Sequence, residues 1–170
     1  MKLGVKQEAL HNEIIIPDRQ MSRGQQGKNA HLTKEDKAME RQITNPWTWQ
    51  DQDGFVQACQ VQGGQKVLYC SGQLSVDPNG KPMHPGDMRA QINAALDNLE
   101  TLLKAAGFPL TDIVRLNIYT TDVDACLKNF DVFINRLTKA GCRHTCSLFG
   151  VARLAWVETM VEIEATAVSG

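Results

Sequence analysis

Hydrophobic and polar positions alternate in two stretches of the chain in the way typical of half-buried β-strands. In "DIVRLNIYTTD" the apolar residues Leu116 and Ile118 flank the polar Asn117, and in "VEIEATAV" Ile163 follows Glu162. Side chains at every second position of a strand lie on the same side of a sheet. Each stretch therefore predicts a strand with one apolar face and one polar face.

Two further stretches have the apolar spacing of three and four residues that is typical of helices packed on one side. The first helix is predicted over 88–106, with Asp87 as its N-cap and Gly107 as its C-terminal stop. The second is predicted as one continuous helix that includes the apolar positions from Val123 to Leu137 and ends at Gly141. Each helix would bury one apolar stripe.

The remaining β-rich runs complete the predicted fold. The runs "GFVQACQV" and "KVLYCSGQ" are joined through Gly63 and Gly64, which predicts a hairpin of two antiparallel strands. With a strand in "TCSLFGVARL", the order is β-β-α-β-α-β-β, an α+β fold with two helices on one face of a mixed sheet. Leu68, Cys70 and Leu148 are candidates for apolar residues on the other face, which would then pack against further copies of the chain.

The chain is predicted to divide near residue 45. Residues 1–44 are rich in Gln, Lys and Glu and read as a polar extension, whereas 45–170 form the folded domain. Within the extension, "TKEDKAMERQ" has Asp36 three residues after Thr33, which is the spacing of a helix capping box. A short helix and a disordered segment are the two alternatives for this part.

Composition excludes several classes of function. The 170 residues carry a formal net charge of −1, and the basic residues form no stripe for binding nucleic acid. No apolar run approaches the roughly 20 residues that span a bilayer, and the first residues lack the apolar core of a signal peptide. The five cysteines are an odd number without a repeated pattern, which favours free thiols. A soluble cytoplasmic protein is expected.

The stretch "GCRHTCSLFG" is a candidate for chemistry because it places Cys142, His144 and Cys146 close together. A zinc site is not predicted, because the sequence has no second Cys or His pair to complete the ligand set. His144 would be roughly 7 Å along a strand from Cys146, too far to act as its base directly. Cys146 therefore remains a candidate nucleophile, a pocket-lining thiol or a buried structural cysteine.

Several segments together resemble the RidA family, also called the YjgF or reactive-intermediate deaminase family. They are "VLYCSGQLSVDPNG", "GDMRAQINAALDNLETLLKAAG", "DIVRLNIYTTDVD", "GVARL" and "VEIEATAV", in this order, within 45–170. The resemblance implies a chorismate-mutase-like fold and a homotrimer whose sheets form a central barrel. It also implies small-molecule pockets in the clefts between subunits and hydrolysis of enamines or imines without a cofactor.

The resemblance assigns roles to individual residues. The glutamate that positions or activates water in active members corresponds to Glu162, while the arginine that binds the substrate carboxylate is replaced by Cys146. The chain thus resembles a divergent branch of the family, and Cys146 is a candidate catalytic residue beside Glu162. Four further residues are the candidate substrate-binding positions: Phe55, Ser71, Gly72 and Leu148.

Three functions remain open at this point. The first is a small-molecule hydrolase that acts on an imine, enamine or related C–N compound. The second is a non-catalytic, metabolite-binding or regulatory trimer that uses the same cleft. The third, an endoribonuclease or translation inhibitor, follows from older descriptions of the family, and the absence of a basic face disfavours it. No cofactor and no metal are predicted.

Overall fold

The computed structural model describes residues 39–46, 51–56, 58–63 and 66–170, all within the compact unit Lys34–Gly170. No helix among these residues is long and apolar enough to cross a membrane. The strands and α-helices of the described residues are β1 Glu40–Thr44, β2 Ala58–Gln62, β3 Lys66–Tyr69, β4 Gln73–Leu74, α1 Met88–Ala106, β5 Ile113–Thr120, α2 Val123–Lys128, α3 Asp131–Lys139, β6 Thr145–Gly150 and β7 Val161–Ser169.

The main sheet is built around β7. Strands β3, β4 and β5 all pair with β7 in antiparallel orientation, and β6 pairs with β5 in parallel orientation at one edge of the sheet. A parallel pair needs a crossover connection, and α2 and α3 supply it between β5 and β6. The predicted α+β class with a mixed sheet is confirmed.

Helix α1 has the ends that its sequence predicts. The Asp87 carboxylate accepts a hydrogen bond from the Ala90 N–H at 3.0 Å, and Gly107 closes the helix with a φ of 77°. The apolar stripe is buried in the core, where Ile92 and Leu99 are fully inaccessible. The helix packs against β4 and β7 and so covers one face of the sheet.

The prediction of one continuous second helix is wrong, because the segment forms two helices, α2 and α3. The break lies at Asn129, whose backbone leaves the helical region at φ −111° and ψ 14°. Its side-chain amide donates to the Ala125 carbonyl at 2.9 Å. Asparagine side chains compete with the helical backbone in this way, which explains why α2 ends here.

The predicted hairpin of the two N-terminal runs is also wrong. Strand β2 pairs along all five of its residues with β1, in a separate two-stranded sheet, whereas β3 joins the main sheet beside β7. The glycines at 63 and 64 follow the end of β2, and they separate two sheets instead of connecting two paired strands. A glycine pair indicates a turn, but it does not determine which strands pair.

Strand β1 lies at the end of the segment that was predicted as an extension. The Arg41 guanidinium donates to the backbone carbonyls of Thr111 and Val168 and pairs with Asp112 at 3.6 Å. The predicted helix beginning at Thr33 lies outside the described residues except for its last residues, and of these 40–42 are strand. β1 is therefore attached to the domain through Arg41.

The two faces of the main sheet differ from the prediction in one respect. Leu68 lies opposite Ala167 and Leu148 opposite Ile118, and residues paired in this way share a face. Because Ala167 and Ile118 are fully buried in the core, Leu68 and Leu148 belong to the helix-covered face, and Cys70 is likewise part of the core. The apolar side chains on the opposite, polar face are instead Val67, Tyr69, Tyr119 and Phe149.

Candidate functional site

Glu162 lies near the start of β7, on the polar face of the sheet. Strand β7 places it directly opposite Tyr119 of β5 and Leu74 of β4. Its carboxylate extends over Gly72, so closely that a Cβ atom at Gly72 would be 1.6 Å from the Glu162 Oε1. Only glycine at position 72 leaves room for this contact. The Glu162 carboxylate therefore lies against the segment that precedes β4.

The surroundings of the Glu162 carboxylate leave it chemically available. Within the described part of the chain it accepts no hydrogen bond from a side chain or backbone N–H and forms no ion pair. Burial raises the pKa of Glu162, and the nearby charge of Glu164 raises it further. A carboxylate with these properties is a better proton acceptor than an ordinary surface glutamate.

Glu164, two residues further on the same face, has the opposite surroundings. Its Oε1 accepts hydrogen bonds from the Asn117 side-chain amide at 2.6 Å and from the Tyr119 hydroxyl at 2.8 Å. These two donors, followed by the charge of Arg115, hold the pKa of Glu164 below its usual range. Glu164 is therefore an anion that is already satisfied by the protein.

Ser71 and Gly72 connect β3 to β4 beside this carboxylate. The Ser71 side chain is exposed, and its backbone carbonyl accepts a hydrogen bond from the Gln73 side chain at 3.1 Å. The structure thus brings Gly72 into contact with Glu162 and places Ser71 next to it in the chain. These are the predicted site residues that lie together within one chain.

Cys146 and Leu148 lie on the other face of the sheet from Glu162. Cys146 is opposite Leu116, a fully buried core residue, and Leu148 is opposite Ile118. Burial raises the pKa of the Cys146 thiol to about 12, with a smaller contribution from Cys126. At neutral pH this thiol is protonated and does not act as an anion.

Phe55 lies close to Cys146 rather than to Glu162. Both residues, with His144, line a narrow cavity of about 10 Å³ between α3 and the sheet. A cavity of this size holds about one water molecule and no larger ligand. Within one chain, Phe55, Cys146 and Leu148 therefore lie apart from the pair formed by Gly72 and Glu162.

Cys142 and His144 form a contact inside the domain. The Cys142 Sγ and His144 Nδ1 atoms are 3.5 Å apart, and both residues are almost completely buried. Burial lowers the pKa of His144 to about 4 and raises that of Cys142 to about 12, so both are neutral at pH 7. Among the described residues, no three His, Cys, Asp or Glu side chains are placed to hold a metal ion.

Two of the larger cavities in the described part of the chain lie over the sheet and near α3. One of about 170 Å³ lies over the polar face and is lined by Tyr69, Arg115 and Glu164 among others. The other, of about 730 Å³, is bordered by Gly54 and Arg143 near α3, and neither cavity is lined by Glu162. The size of a cavity therefore does not identify the site, and the chemistry of Glu162 is the better guide.

Asn117 and Tyr119 are polar residues at the site that the sequence analysis did not select. The alternation along β5 already placed both on the polar face, where β7 carries its two glutamates. What the sequence did not provide was the register between β5 and β7, which sets Asn117 opposite Glu164 and Tyr119 opposite Glu162. Register depends on contacts between distant parts of the chain.

Comparisons with known proteins identify the family of this chain. The sequence profile of the family described as "Endoribonuclease L-PSP" matches residues 50–169. Protein DfrA of Myxococcus xanthus is 34% identical over 116 residues, which are 68% of this chain and 85% of DfrA. The 2-iminobutanoate/2-iminopropanoate deaminase of Mus musculus is 32% identical over 119 residues, 68% of this chain and 82% of that protein.

A solved structure gives the same result. YyfB of Yersinia pestis, a protein of unknown function of the conserved Rid family, superimposes with a TM-score of 0.68. It is 32% identical in sequence, and the match covers 75% of this chain and 98% of YyfB. As the resemblance to RidA proteins predicted, the chain belongs to the Rid family, the family of the endoribonuclease L-PSP profile.

Proposed function

We propose that this protein hydrolyses the C–N bond of an imine, enamine or related compound, with Glu162 as the residue that activates water. The observation that carries the proposal is the Glu162 carboxylate, which lies against Gly72 without a hydrogen-bond donor among the described residues. Its raised pKa suits a group that must take up a proton and release it again near neutral pH.

The proposed reaction converts an imine and water into a carbonyl compound and ammonia. Glu162 accepts a proton from water as the water oxygen bonds to the imine carbon, and the C=N electron pair moves to nitrogen, which takes up a proton. The resulting carbinolamine then loses ammonia as its hydroxyl proton leaves and the C=O bond forms. An enamine enters the same route after protonation at carbon gives the imine. No oxidant or reductant is needed.

The substrate class follows from the residue at position 146. The mouse relative is a deaminase of 2-iminobutanoate and 2-iminopropanoate, and both of these carry a carboxylate. Active members of the family bind that group with an arginine where this chain has the neutral, partly buried Cys146. We therefore propose a substrate whose binding does not depend on a carboxylate anchored at this position.

We further propose that the site lies in a cleft between subunits of a cytoplasmic homotrimer. Glu162 leans toward the edge of the sheet formed by β3 and β4, whereas Cys146 belongs to β6 at the opposite edge. Copies that meet edge to edge would bring Glu162 of one subunit near the β6 edge of the next. Phe55, Cys146 and Leu148 would then contribute to the cleft from the neighbouring subunit. All five cysteines are free, which suits a reducing compartment.

The test is an imine-hydrolysis assay in which an amino-acid or amine oxidase generates imines in situ and semicarbazide traps what remains. Wild-type protein should reduce the trapped product, and Glu162→Gln should lose about 10²-fold or more of that rate, the usual effect of removing a general base. Glu158→Gln is the matched control, because Glu158 is exposed and its side chain has no hydrogen bond or ion pair with the described site residues. Equal rates for the two variants would contradict the role of Glu162.

The second candidate is a trimer that binds a small molecule without converting it. The observation that favours it is the protonated Cys146 thiol, which leaves the position of the family's cationic arginine anchor without a charge. This candidate predicts that no imine is consumed and that a bound metabolite is displaced equally well from wild-type protein and from Glu162→Gln. Mass spectrometry of ligands released from the purified protein would identify such a molecule.

A further inference from the structure

Two carboxylates share one face of β7 but differ in what holds them. Glu164 is fixed by two donors from β5, at 2.6 Å from Asn117 and 2.8 Å from Tyr119. Glu162 has a glycine beneath it and no donor among the described residues. When two neighbouring carboxylates have such different surroundings, a proton taken up by the pair goes to the one that accepts fewer hydrogen bonds.

The donors to Glu164 are themselves oriented. Arg115 donates through its Nε to the Asn117 side-chain oxygen at 3.1 Å, so the Asn117 nitrogen points toward Glu164. Arginine has only donors, and a rotated Asn117 amide would therefore place donor against donor on one side and oxygen against carboxylate on the other. Asn117 is 8% exposed, which leaves little water to replace these bonds. The hydrogen bonds that run from Arg115 through Asn117 to Glu164 therefore have only one favourable donor-to-acceptor direction.

We propose that Glu164 is a positioning residue for Glu162: held as a permanent anion by Asn117 and Tyr119, it keeps the exchangeable proton of the site on Glu162. This inference rests on the proposed function of Glu162. It assigns to the polar face of β5 a role in the reaction, although no residue of β5 needs to touch the substrate. Glu162 changes its protonation state, and Glu164 does not.

The other groups that face Glu162 do not replace Glu164 in this role. Residues 72–74, which lie on the β4 side, carry no charge, and on the β5 side Tyr119 is engaged with Glu164. Arg115 is opposite Thr166, four residues along β7 from Glu162, which corresponds to roughly 13 Å. The lowered pKa of Glu164 and the raised pKa of Glu162 agree with the assignment.

The experiment is a carboxyl ¹³C NMR titration of glutamate-labelled protein, run with the pH dependence of imine hydrolysis. Glu164→Gln keeps the acceptor oxygen for Asn117 and Tyr119 but removes the charge. Glu162 should then titrate at lower pH than in wild-type protein, and the acid limb of kcat should move to lower pH with it. Glu158→Gln should leave both unchanged. A purely structural role of Glu164 would lower the rate or stability at every pH without moving the limb.

Tyr119→Phe is the second variant, because it keeps the ring that stacks on Phe149 and removes only the hydroxyl donor. Glu164 should titrate at higher pH in this variant. The inference is wrong if Glu162 titrates at the same pH in wild-type and Glu164→Gln proteins, or if Glu164 is unaffected by Tyr119→Phe. Since NMR detects the titrations without turnover, shifted midpoints in a protein that hydrolyses no imine would refute the proposed function but support the coupling of the two glutamates.

Discussion

Gly72 has a hydrogen atom where any other residue would have a Cβ atom, and the Glu162 carboxylate occupies the adjacent space. The contact is specific at the level of single atoms. A side chain introduced at Gly72 would displace the Glu162 carboxylate, which is the flexible end of a side chain, and would not displace backbone atoms. A change at Gly72 should therefore disturb the site more than the fold.

Gly72→Ala tests this contact. The new methyl group would overlap the Glu162 Oε1 and move the carboxylate by an ångström or more. A displacement of this size costs about 10²-fold in rate when the group acts on a bound substrate. We expect kcat to fall by about that factor while the melting temperature changes by only a few degrees. Unaltered kinetics in Gly72→Ala would show that the carboxylate position is unimportant.

Glu162→Gln should also change how stability depends on pH. The pKa of Glu162 is raised in the folded protein, so its ionised form is less favourable there than in the unfolded chain. Protonated Glu162 avoids this penalty at low pH. The stability that its protonation provides is lost as the pH rises through the raised pKa of Glu162. The variant, which stays neutral, should be more stable than wild type at pH 7, and the difference should disappear near pH 4.

Urea denaturation at the two pH values measures this difference. Glu164→Gln provides the opposite control, because the pKa of Glu164 is lowered and its ionised form is favoured in the folded state. That variant should be less stable than wild type at pH 7, and its deficit should shrink as the pH falls. A Glu162→Gln protein that is destabilised at pH 7 would mean that the carboxylate has a structural partner.

Among the elements, α1 shows how much local sequence can determine. Asp87, the apolar spacing and Gly107 predict its start, buried face and end, and all three are found. These signals act within a few residues of each other and need no distant partner. Strands β5 and β7 were predicted for the same reason, since alternation is a local property of the sequence.

Asp87→Ala should destabilise the domain by about 1 kcal/mol, because it removes the acceptor of the Ala90 N–H at the start of the helix. Asp87→Asn keeps an acceptor oxygen and should remain close to wild type. Chemical denaturation of the three proteins provides the comparison. Equal losses in both variants would assign the effect to charge instead of capping.

Two elements were predicted wrongly, the first because of a local side-chain contact and the second because of a non-local strand pairing. Asn129 divides the second helix through a side-chain bond that its periodicity did not reveal. Strand β2 pairs with β1 although the two glycines that follow it in the sequence favour a turn toward β3. Turn chemistry is visible in the sequence, whereas the choice between possible strand partners is made by the whole fold.

At the scale of the whole molecule, the sequence predicted which residues carry chemistry better than where they lie. The motif that contains Glu162 identified the candidate carboxylate, and its contact with Gly72 joins two of the predicted residues. Cys146 and Glu162 were both predicted as site residues, and within one chain the register of β6 against Leu116 places Cys146 on the other face of the sheet. The sequence shows which residues of one strand share a face. It does not show the register that relates this face to the neighbouring strand.

The proposed trimer makes a direct prediction for the mass in solution. Light scattering should give three times 18.9 kDa. Phe149 is 45% exposed on the polar face, and Phe149→Gln should increase the fraction of smaller species at low micromolar concentration if that face meets another subunit. Leu127→Gln is the control, since Leu127 is exposed on α2. A monomer mass for the wild-type protein would contradict the proposed cleft between subunits.

Strand β1 determines how far the chain can be shortened. A protein that began at residue 45 would lack the strand that pairs with all five residues of β2 and would lose the three contacts of Arg41. The backbone N–H and C=O groups of β2 would then form an open edge, a template on which other chains can add and aggregate. We therefore expect the smallest well-behaved version of this domain to begin before Glu40, upstream of the boundary that composition alone would suggest.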